Sequence, residues 1–371
     1  MPSIMIVAGE PSGDLHASRV AAQLKLFCPD ANLFGMGGDL MEAAGVSLVF
    51  HIGDTAVMGI AEVVSSIPGY LKKYMHFQWL MRNKKPDAVL LVDFADFNMA
   101  IAESAYKLQI PVIYYIPPKA WAWRSGRGKK IAKRTSVVAS IFPFEAEFYR
   151  RSGARTEFVG HPLRDFAQID LTVQQARAQI GVDRDAPVLG LLPGSRCGEV
   201  KMLLPVMLNV AQQVRQKLPK CQLILPLSPS IPAEFLPEMP LVKIVSGATY
   251  AAMRAADLTL VASGTATLEA ACIGVPMIVL YKMSWLSWWI VKRLVKLDYS
   301  ALPNIIAGRQ VVPEFLQSDV RIAQITRIAC DLLQDSEKRE CQRIELKKVC
   351  EQLGDPGAVE RTARLVLSHV E

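Results

Sequence analysis

The sequence predicts an α/β protein with two doubly wound, Rossmann-like domains that face a cleft. Apolar runs of strand length alternate with stretches of helical periodicity through both halves of the chain. These runs are continuously apolar, which is typical of parallel strands that are buried on both faces. The 371 residues, 51% of them hydrophobic, are enough for two domains with separate cores.

In the first half, five apolar runs predict the strands of one parallel sheet. They are Ile4–Ala8, Val46–Phe50, Ala88–Val92, Val112–Ile116 and Val137–Ile141. The segment Gly160-His-Pro-Leu-Arg-Asp165 and the polar residues after it separate this series from the next one. We therefore predict a first domain over residues 1–165.

The second half repeats the pattern and predicts a second domain over residues 166–371. Its apolar runs are Val188–Leu192, Leu223–Leu225, Val242–Val245, Leu258–Ala262 and Met277–Tyr281. After Pro313 the chain is predicted to be helical and charged to its end, with C-terminal helices that can pack back on the first domain.

Charge and cysteine content narrow the function classes. A net charge of +7 and a pI near 9.0 favour anionic partners, although a basic surface also serves solubility. The seven cysteines contain no C-x-x-C pair, so we expect neither a disulfide framework nor a zinc site. This cysteine pattern favours a reducing compartment. We expect neither a signal peptide nor a membrane-spanning helix.

In open α/β sheets ligands bind beyond the carboxyl ends of the strands, so the strand exits are the candidate sites. The first strand leads into Ala8-Gly-Glu-Pro-Ser-Gly-Asp14. Gly9 and Gly13 permit close backbone approach, and Ser12 or Asp14 can cap the next helix. A phosphate loop and a simple capped turn both remain open.

The exit of the strand Ala88–Val92 carries the sequence Asp93-Phe-Ala-Asp96-Phe-Asn98. Asp96 is a candidate general base for an acceptor hydroxyl, or a helix cap. His16 is a competing base in the first turn of a helix, whose positive end is expected to lower the histidine pKa. A lone histidine is more often structural, so it ranks second.

Two strand exits in the second domain favour a diphosphate site. Leu192-Pro-Gly-Ser-Arg196-Cys-Gly-Glu199 opens a long helix, and its free N–H groups and Arg196 suit a diphosphate. Ser263-Gly-Thr265 offers hydroxyl and amide groups at a second helix start. Glu269, one turn further on, can accept hydrogen bonds from the two hydroxyls of a ribose. Two helix starts that can each bind a phosphate are a more specific indication of a diphosphate site than one capped turn is.

A metal site on the diphosphate would require a pair of acids. The only D-x-D sequence, Asp183-Arg-Asp185, precedes a strand and is therefore predicted at the wrong end of the sheet. We expect no metal and no cofactor, with Arg196 and helix dipoles stabilising the negative charge.

Two stretches combine apolar and basic residues, which suits a membrane surface or an acyl chain. Core-facing helices would also explain each stretch taken alone. No motif for reading nucleic acid accompanies the charge, so we expect no nucleic-acid partner. The candidate contact residues are Val63, Val64, Ile67, Leu71, Met75, Trp285, Trp288 and Trp289.

A set of motifs, in order from residue 8 to about residue 317, resembles the lipid A disaccharide synthase family of GT-B glycosyltransferases. The motifs are AGEPSGD, VMGIAEV, DFADFN, YYIPPKAWAWR, FPFE, VGHPL, LPGSRCGEV, ASGTATLE, LPNIIAG and PEFLQ. The resemblance implies transfer from UDP-2,3-diacylglucosamine to 2,3-diacylglucosamine 1-phosphate, which gives a β-1,6-linked disaccharide and UDP. It also implies a cytoplasmic protein, peripheral on the inner membrane of a Gram-negative cell.

The resemblance further implies an acceptor- and lipid-binding first domain and a UDP-sugar-binding second domain. Asp96 is then the general base, with Glu10 and His16 as weaker candidates. The acceptor loop comprises Ser12, Gly13, Asp14 and Asn98. The UDP site comprises Arg196, Glu199, Ser263, Gly264, Thr265, Glu269 and Asn304.

One motif departs from the family pattern. Pro117 and Pro118 stand where a serine usually precedes a single proline, and Lys119 follows them. Two alternatives stay open: another UDP-sugar enzyme, such as a UDP-N-acetylglucosamine 2-epimerase, and a non-catalytic protein that binds UDP-sugars at a lipid surface. A homodimer is compatible with the sequence.

Overall fold

A computed structural model describes residues 1–55, 60–167, 169–283, 288–289 and 298–370, and it leaves out the side chains of residues 54–68. The chain divides into two compact units. The first comprises Met1–Asp165 with Leu353–Glu371, and the second comprises Phe166–Gln352.

The first unit is built on a parallel sheet of seven strands in the order β3-β2-β1-β4-β5-β6-β7. The strands are β1 (Ser3–Ala8), β2 (Asn32–Gly37), β3 (Ser47–His51), β4 (Ala88–Val92), β5 (Val112–Tyr115), β6 (Val137–Ser140) and β7 (Thr156–Phe158). The helices of this part of the chain are α1 (Pro11–Phe27), α2 (Asp39–Ala43), α3 (Ile60–Lys84), α4 (Ala95–Lys107), α5 (Arg127–Arg134), α6 (Pro143–Arg151) and α7 (Leu163–Phe166).

The second unit contains a parallel sheet of six strands in the order β10-β9-β8-β11-β12-β13. The strands are β8 (Val188–Leu192), β9 (Gln222–Leu227), β10 (Val242–Ser246), β11 (Leu258–Ala262), β12 (Met277–Tyr281) and β13 (Glu314–Leu316). The helices are α8 (Val173–Ile180), α9 (Cys197–Lys217), α10 (Thr249–Ala255), α11 (Thr265–Ile273), α12 (Leu302–Ala307), α13 (Ile322–Gln334) and α14 (Ser336–Gln352).

The last described helix, α15 (Ala358–Leu367), returns to the first unit and packs against α1. Its amphipathic sequence buries Ala358, Ala363 and Val366 completely. None of the described helices is both long enough and apolar enough to cross a membrane.

The second sheet has a hydrophobic core on each face. Leu189 and Leu191 of β8 pack in one core with residues of α9 and α13. Val188 and Leu192 of the same strand pack in the other core, with residues of α8, α10, α11 and α14. Because successive side chains of a strand point to opposite faces, a strand with two buried faces must be apolar throughout. The continuous apolar runs in the sequence have this origin.

All ten predicted strands are present, but three observed strands were not predicted: β2, β7 and β13. β7 and β13 have only three residues each, and β13 lies where the sequence after Pro313 predicted helix. β2 contains glycines, which weaken a strand signal. A Cβ atom at Gly35 would lie 1.8 Å from the carbonyl oxygen of Ile6, so this glycine lets two neighbouring strands approach.

Candidate active site

Both sheets place the predicted motifs at their topological switch points, where consecutive strands diverge to opposite sides. In the first sheet this point lies between β1 and β4, and Ala8 pairs with Val92 there. In the second sheet it lies between β8 and β11, where Leu192 pairs with Val261. Ligands of open α/β sheets bind at such points. Each unit therefore has one candidate site, made of two adjacent strand exits.

At the first switch point the backbone between β4 and α4 is strained. Asp93 and Phe94 have φ angles of +49° and +50°, which side-chain-bearing residues rarely adopt. Two hydrogen bonds hold the Asp93 carbonyl oxygen: Asn98 Nδ2 donates to it at 2.8 Å and the Tyr114 hydroxyl at 3.0 Å. Strain of this kind, held by its surroundings, is common at active sites.

Asn98 has a structural role and is not an exposed acceptor contact. It is completely buried, and its amide also donates to the carbonyl oxygens of Val7 and Val92 at 3.3 Å each. These bonds join the ends of β1 and β4 to the loop between β4 and α4. The prediction that Asn98 contacts the acceptor directly is therefore corrected: it shapes the loop that presents Asp96.

Asp96 lies in the first turn of α4 with 81% of its side chain exposed. Phe94 is the N-cap residue of α4, and none of the described side chains caps this helix, so the alternative role of Asp96 as a cap does not apply. The Asp96 carboxylate accepts a hydrogen bond from the guanidinium of Arg127 on α5. The Arg127 side chain is only 17% exposed. An exposed carboxylate held by one arginine can reach an incoming hydroxyl.

The loop after β1 has mixed roles. Glu10 and Ser12 are exposed, and Glu10 is the N-cap residue of α1, although its side chain forms no capping hydrogen bond. A Cβ atom at Gly13 would lie 3.3 Å from Ala8 Cβ, which leaves little space for a side chain there. Asp14 is buried and accepts hydrogen bonds from Gly38 N at 2.7 Å and Met41 N at 3.1 Å.

Asp14 therefore anchors the start of α2, although the sequence predicted a cap on its own helix or an acceptor contact. In this respect the prediction is wrong, because a distant turn of backbone brings three amide groups to this carboxylate. Glu10 and Ser12 keep the exposure that a substrate contact requires.

His16 is a poor general base. Burial, followed by the charge of Arg19, lowers the pKa of His16 to about 4, so its imidazole is neutral and weakly basic near neutral pH. Its Nδ1 atom is buried and has no hydrogen-bond partner among the described residues. His161 lies nearby, and burial lowers its pKa to about 3.

The sequence did not predict a buried carboxyl group on α6. Glu145 is 2% exposed and accepts hydrogen bonds from Trp121 Nε1 at 3.1 Å and Ser140 Oγ at 2.8 Å. Burial raises the pKa of Glu145 to about 7. The loop with Pro117, Pro118 and Lys119 is thereby tied to β6 and α6 through Trp121.

The Glu145 pKa makes stability depend on pH. Between the ordinary value of 4.5 and about 7, the folded protein keeps this proton while the unfolded chain loses it. The free energy of unfolding therefore falls as pH rises through this window. Between pH 5 and pH 8 the unmodified protein should lose about 2–3 kcal/mol of its free energy of unfolding through this ionisation. Glu145→Gln cannot ionise at this position and should not show that loss.

Urea unfolding at the two pH values measures this difference. Glu147→Gln is the matched control, because Glu147 is an exposed acid on the same helix. An equal pH response of both variants would contradict the role assigned to the buried carboxyl group.

At the second switch point two helices begin without a side-chain cap. Arg196 is the N-cap residue of α9 and Gly264 that of α11, and neither helix start has a side-chain cap hydrogen bond. Uncapped N–H groups at a helix start, together with the helix dipole, attract anions. A Cβ atom at Gly264 would meet nothing within 4 Å, so the space above this turn is open.

Arg196 is exposed and lies 3.6 Å from the Glu199 carboxylate. Glu199 folds back over its own loop and accepts a hydrogen bond from Ser195 N at 3.3 Å. A Cβ atom at Gly194 would lie 2.3 Å from this carboxylate, and φ of Gly194 is +118°, so a glycine is required there. The exposed position of Arg196 is compatible with the predicted diphosphate contact. Glu199 instead stabilises its own loop and would repel a phosphate, so its predicted direct contact with UDP is corrected.

In the loop after β11, Thr265 is exposed, while the Ser263 hydroxyl donates to Ser300 O at 2.9 Å. Glu269 lies deeper, on the second turn of α11, and burial raises its pKa. Its carboxylate has no hydrogen-bond partner among the described residues. A largely buried carboxylate without partners is costly in the free protein, which favours a ligand that donates hydrogen bonds to it.

Asn304 is not available to a ligand. It is completely buried, and its side-chain oxygen accepts hydrogen bonds from Val311 N at 2.7 Å and Val312 N at 3.0 Å. Its amide donates to Val312 O at 3.0 Å and to Glu314 Oε2 at 3.2 Å. The predicted direct UDP contact of Asn304 is therefore corrected to a positioning role.

Glu314 of β13 was not predicted as a site residue. Its carboxylate also accepts a hydrogen bond from Ala301 N at 2.8 Å, at the start of α12. Glu314 and Asn304 together fix the segment whose Ser300 carbonyl holds Ser263. Only the PEFLQ motif contains a hint of this role, and its spacing does not show the contact.

The predicted lipid-contact residues are described only in part. Leu71 and Met75 are exposed on α3, and Trp289 is 47% exposed. Trp288 is partly buried. Trp285 and the side chains of Val63, Val64 and Ile67 lie outside the described residues.

Comparison with known proteins gives the family. Residues 4–367 match the model of the lipid-A-disaccharide synthetase family. The lipid-A-disaccharide synthase of Geobacter metallireducens is 40% identical over 369 residues, which cover 98% of this chain and 96% of that protein. The enzyme of Nitrosococcus oceani is 39% identical over 379 residues, with coverage of 100% and 97%.

Solved structures with low identity share the fold. A UDP-GlcNAc 2-epimerase from Neisseria meningitidis, solved with UDP-GlcNAc, has a TM-score of 0.68 at 13% identity and covers 99% of this chain and 100% of its own. The calicheamicin glycosyltransferase CalG4 has a TM-score of 0.63 at 16% identity, with coverage of 100% and 98%. These likenesses concern the fold alone and confirm the predicted GT-B class. By its match over nearly the whole length, the chain belongs to the lipid-A-disaccharide synthase family of glycosyltransferases.

Proposed function

We propose that this enzyme transfers 2,3-diacylglucosamine from UDP to the 6-hydroxyl of 2,3-diacylglucosamine 1-phosphate, with inversion at the anomeric carbon. The observation that carries this proposal is the family match over residues 4–367. The two switch-point sites support it, because one suits a nucleoside diphosphate and the other presents a carboxylate to an acceptor.

On the donor side, the UDP diphosphate lies against the starts of α9 and α11 and pairs with Arg196. The ribose hydroxyls donate hydrogen bonds to Glu269, whose partly buried carboxylate otherwise lacks donors among the described residues. Stabilising the charge of the departing UDP by fixed dipoles and a guanidinium lowers the barrier for cleavage of the glycosidic bond.

On the acceptor side, Asp96 removes the proton of the 6-hydroxyl as its oxygen attacks the anomeric carbon of the donor. The bond from this carbon to the UDP oxygen breaks in the same step, and UDP leaves from the opposite face. The exposed position of Asp96 favours it as the base over His16, whose Nδ1 atom is buried and whose pKa of about 4 makes it no stronger a base than an ordinary carboxylate.

Mass spectrometry of the product tests the function directly. Purified enzyme is incubated with both diacylated sugars in detergent micelles. We expect a disaccharide 1-phosphate and an equimolar amount of UDP. An epimerised UDP-sugar without disaccharide would support the 2-epimerase alternative, and binding without any product would support a non-catalytic role.

The same reaction run in EDTA tests metal independence. Asp183 and Asp185 precede β8, at the amino end of the second sheet, and Asp183 Oδ1 accepts a hydrogen bond from Asp185 N at 2.8 Å. This acidic pair therefore lies near the amino end of β8, whereas the switch point lies at its carboxyl end. We expect the rate to be unchanged by EDTA, and restoration of a lost rate by Mg²⁺ would contradict this.

We also propose that α3 contacts the anionic cytoplasmic face of the inner membrane. Leu71, Met75 and Trp79 recur every four residues and are 54%, 53% and 55% exposed, so they form one apolar stripe. Lys72 and Arg82, both exposed, lie on the same helix. An apolar stripe with adjacent cations suits an interfacial helix.

Vesicle sedimentation tests this contact. We expect the double variant Leu71→Gln/Met75→Gln to bind vesicles of phosphatidylcholine and phosphatidylglycerol at least about tenfold more weakly, because two apolar side chains no longer leave water. Leu26→Gln, at an exposed position of α1, is the control. Equal binding of the double variant and the control would contradict the proposed surface.

A further inference from the structure

The net charge of the chain is concentrated in one short segment. Residues 119–134 contain seven lysines and arginines and no acid, while the remainder of the chain has 35 basic and 35 acidic residues. The whole net charge of +7 therefore comes from this segment, which follows β5 and ends in α5. A local excess of this size attracts an anion far more strongly than an evenly charged surface does.

Two of these cations are held together by an aromatic ring. The guanidinium of Arg124 lies 4.5 Å from the centre of the Trp123 ring, and that of Arg127 lies 5.7 Å from it. Arg124 has φ of +57°, a conformation that side-chain-bearing residues seldom adopt. Guanidinium groups fixed in this way lose little freedom on binding, and their planar donors suit phosphate oxygens.

The second arginine also contacts the proposed base. Arg127 donates to the Asp96 carboxylate, and its side chain is largely buried whereas that of Asp96 is exposed. While this ion pair persists, the carboxylate that should accept the substrate proton is bound to a cation. An anionic ligand that competes for Arg127 would release it.

We propose that Arg124 and Arg127 form the subsite for the phosphate monoester of the acceptor, and that this phosphate draws Arg127 away from Asp96. This inference rests on the proposed function, because it takes Asp96 as the base and a sugar 1-phosphate as the acceptor. The phosphate-bearing C1 and the C5 that carries the reacting hydroxymethyl group both flank the ring oxygen of the hexose, so the phosphate and the 6-hydroxyl are close to each other. Binding the phosphate beside Asp96 therefore orients the hydroxyl and frees the carboxylate together.

A phospholipid headgroup could supply the same phosphate chemistry. The acceptor is favoured because Arg127 is only 17% exposed and touches Asp96, so its ligand must approach the reacting hydroxyl and not only the protein surface. The experiment below separates the two sources by omitting phospholipid from one arm.

The first arm measures kcat/KM in neutral detergent with two acceptors, 2,3-diacylglucosamine 1-phosphate and its 1-O-methyl glycoside without phosphate. We expect the unmodified enzyme to prefer the phosphorylated acceptor by about 100-fold. In Arg127→Gln we expect that preference to fall to within about threefold, because kcat/KM falls for the phosphorylated acceptor, whereas the acceptor without phosphate is used no more slowly once Asp96 is free of its ion pair. Arg127→Lys should restore part of it, because a lysine keeps the charge but lacks the planar donors.

Lys133→Gln is the matched control, since it removes one exposed cation from the same helix without a contact to Asp96. Its acceptor preference should equal that of the unmodified enzyme within about twofold. If Arg127→Gln slowed both acceptors equally, Arg127 would be only a positioning partner of Asp96, and the phosphate subsite would be refuted.

The second arm measures binding without donor, by tryptophan fluorescence, so it does not depend on turnover. A preference for the phosphorylated acceptor that Arg127→Gln abolishes would support the subsite even if no disaccharide formed and the proposed function failed. A third arm measures sedimentation with phosphatidylglycerol vesicles. Weaker vesicle binding by Arg127→Gln with an unchanged acceptor preference would assign the cations to the membrane and overturn the proposal.

Discussion

Asp96→Asn is expected to lower kcat by about 10²–10⁴-fold, the usual contribution of a positioned general base. The Kd for UDP should stay within about twofold, because Asp96 lies on the first unit and UDP is proposed to bind the second. Asparagine keeps the shape of the side chain and can still accept a hydrogen bond from Arg127. Steady-state kinetics and calorimetric titration with UDP measure the two quantities.

Glu103→Gln is the control for Asp96→Asn. Glu103 is an acid on the same helix and is also paired with an arginine, at 2.8 Å from Arg134 Nη2. Its removal should leave kcat nearly unchanged. An equal kcat for Asp96→Asn and the unmodified enzyme would exclude Asp96 as the base.

Arg196→Ala is expected to raise the Kd for UDP by about 10–100-fold, because a charge-assisted hydrogen bond to a phosphate contributes about 1.5–3 kcal/mol. Within the described part of the chain, the ion-pair contact of the exposed Arg196 side chain is a long one to Glu199, so the folded state should lose little stability. The effect should weaken at high salt, since it is electrostatic.

Lys201→Ala serves as the control for Arg196→Ala, because Lys201 is an exposed cation on the first turns of the same helix. Its Kd for UDP should change by less than about twofold. Equal Kd values for the two variants would mean that the general charge of α9, and not Arg196, attracts the diphosphate.

The fold and the position of the sites could be predicted because they depend on local patterns. Strands buried on both faces leave continuous apolar runs, and the glycine-rich or acidic residues after them mark the strand exits. These exits then meet at the two switch points because parallel strands end at the same edge of a sheet. The candidates Asp96, Arg196 and Thr265 lie exposed at these exits, as predicted from the sequence, and their roles in catalysis and binding stay predictions.

The roles of Asp14, Asn98 and Asn304 could not be predicted in the same way. Each lies within or beside a site motif, but each is buried and forms hydrogen bonds to backbone far along the chain or across a loop. The sequence alone does not distinguish a polar residue that binds a ligand from one that stabilises the loop. Only the partners of its side chain distinguish the two.

Glu145, Glu314 and Arg127 were missed for a related reason. The local sequence does not show which groups their side chains contact, and only the fold brings them to the Trp121 side chain, to the start of α12 and to Asp96. The concentration of charge in residues 119–134 was visible in the sequence and would have directed attention to Arg127.

A crystal structure of the enzyme with UDP tests the donor site most directly. We predict that the nucleotide lies at the carboxyl ends of β8 and β11, with its diphosphate against Arg196 and the first turn of α11, and with its ribose hydroxyls on Glu269. Binding of UDP at any other place, such as the exit of β4 in the first unit, would contradict the assignment of the second switch point as the donor site.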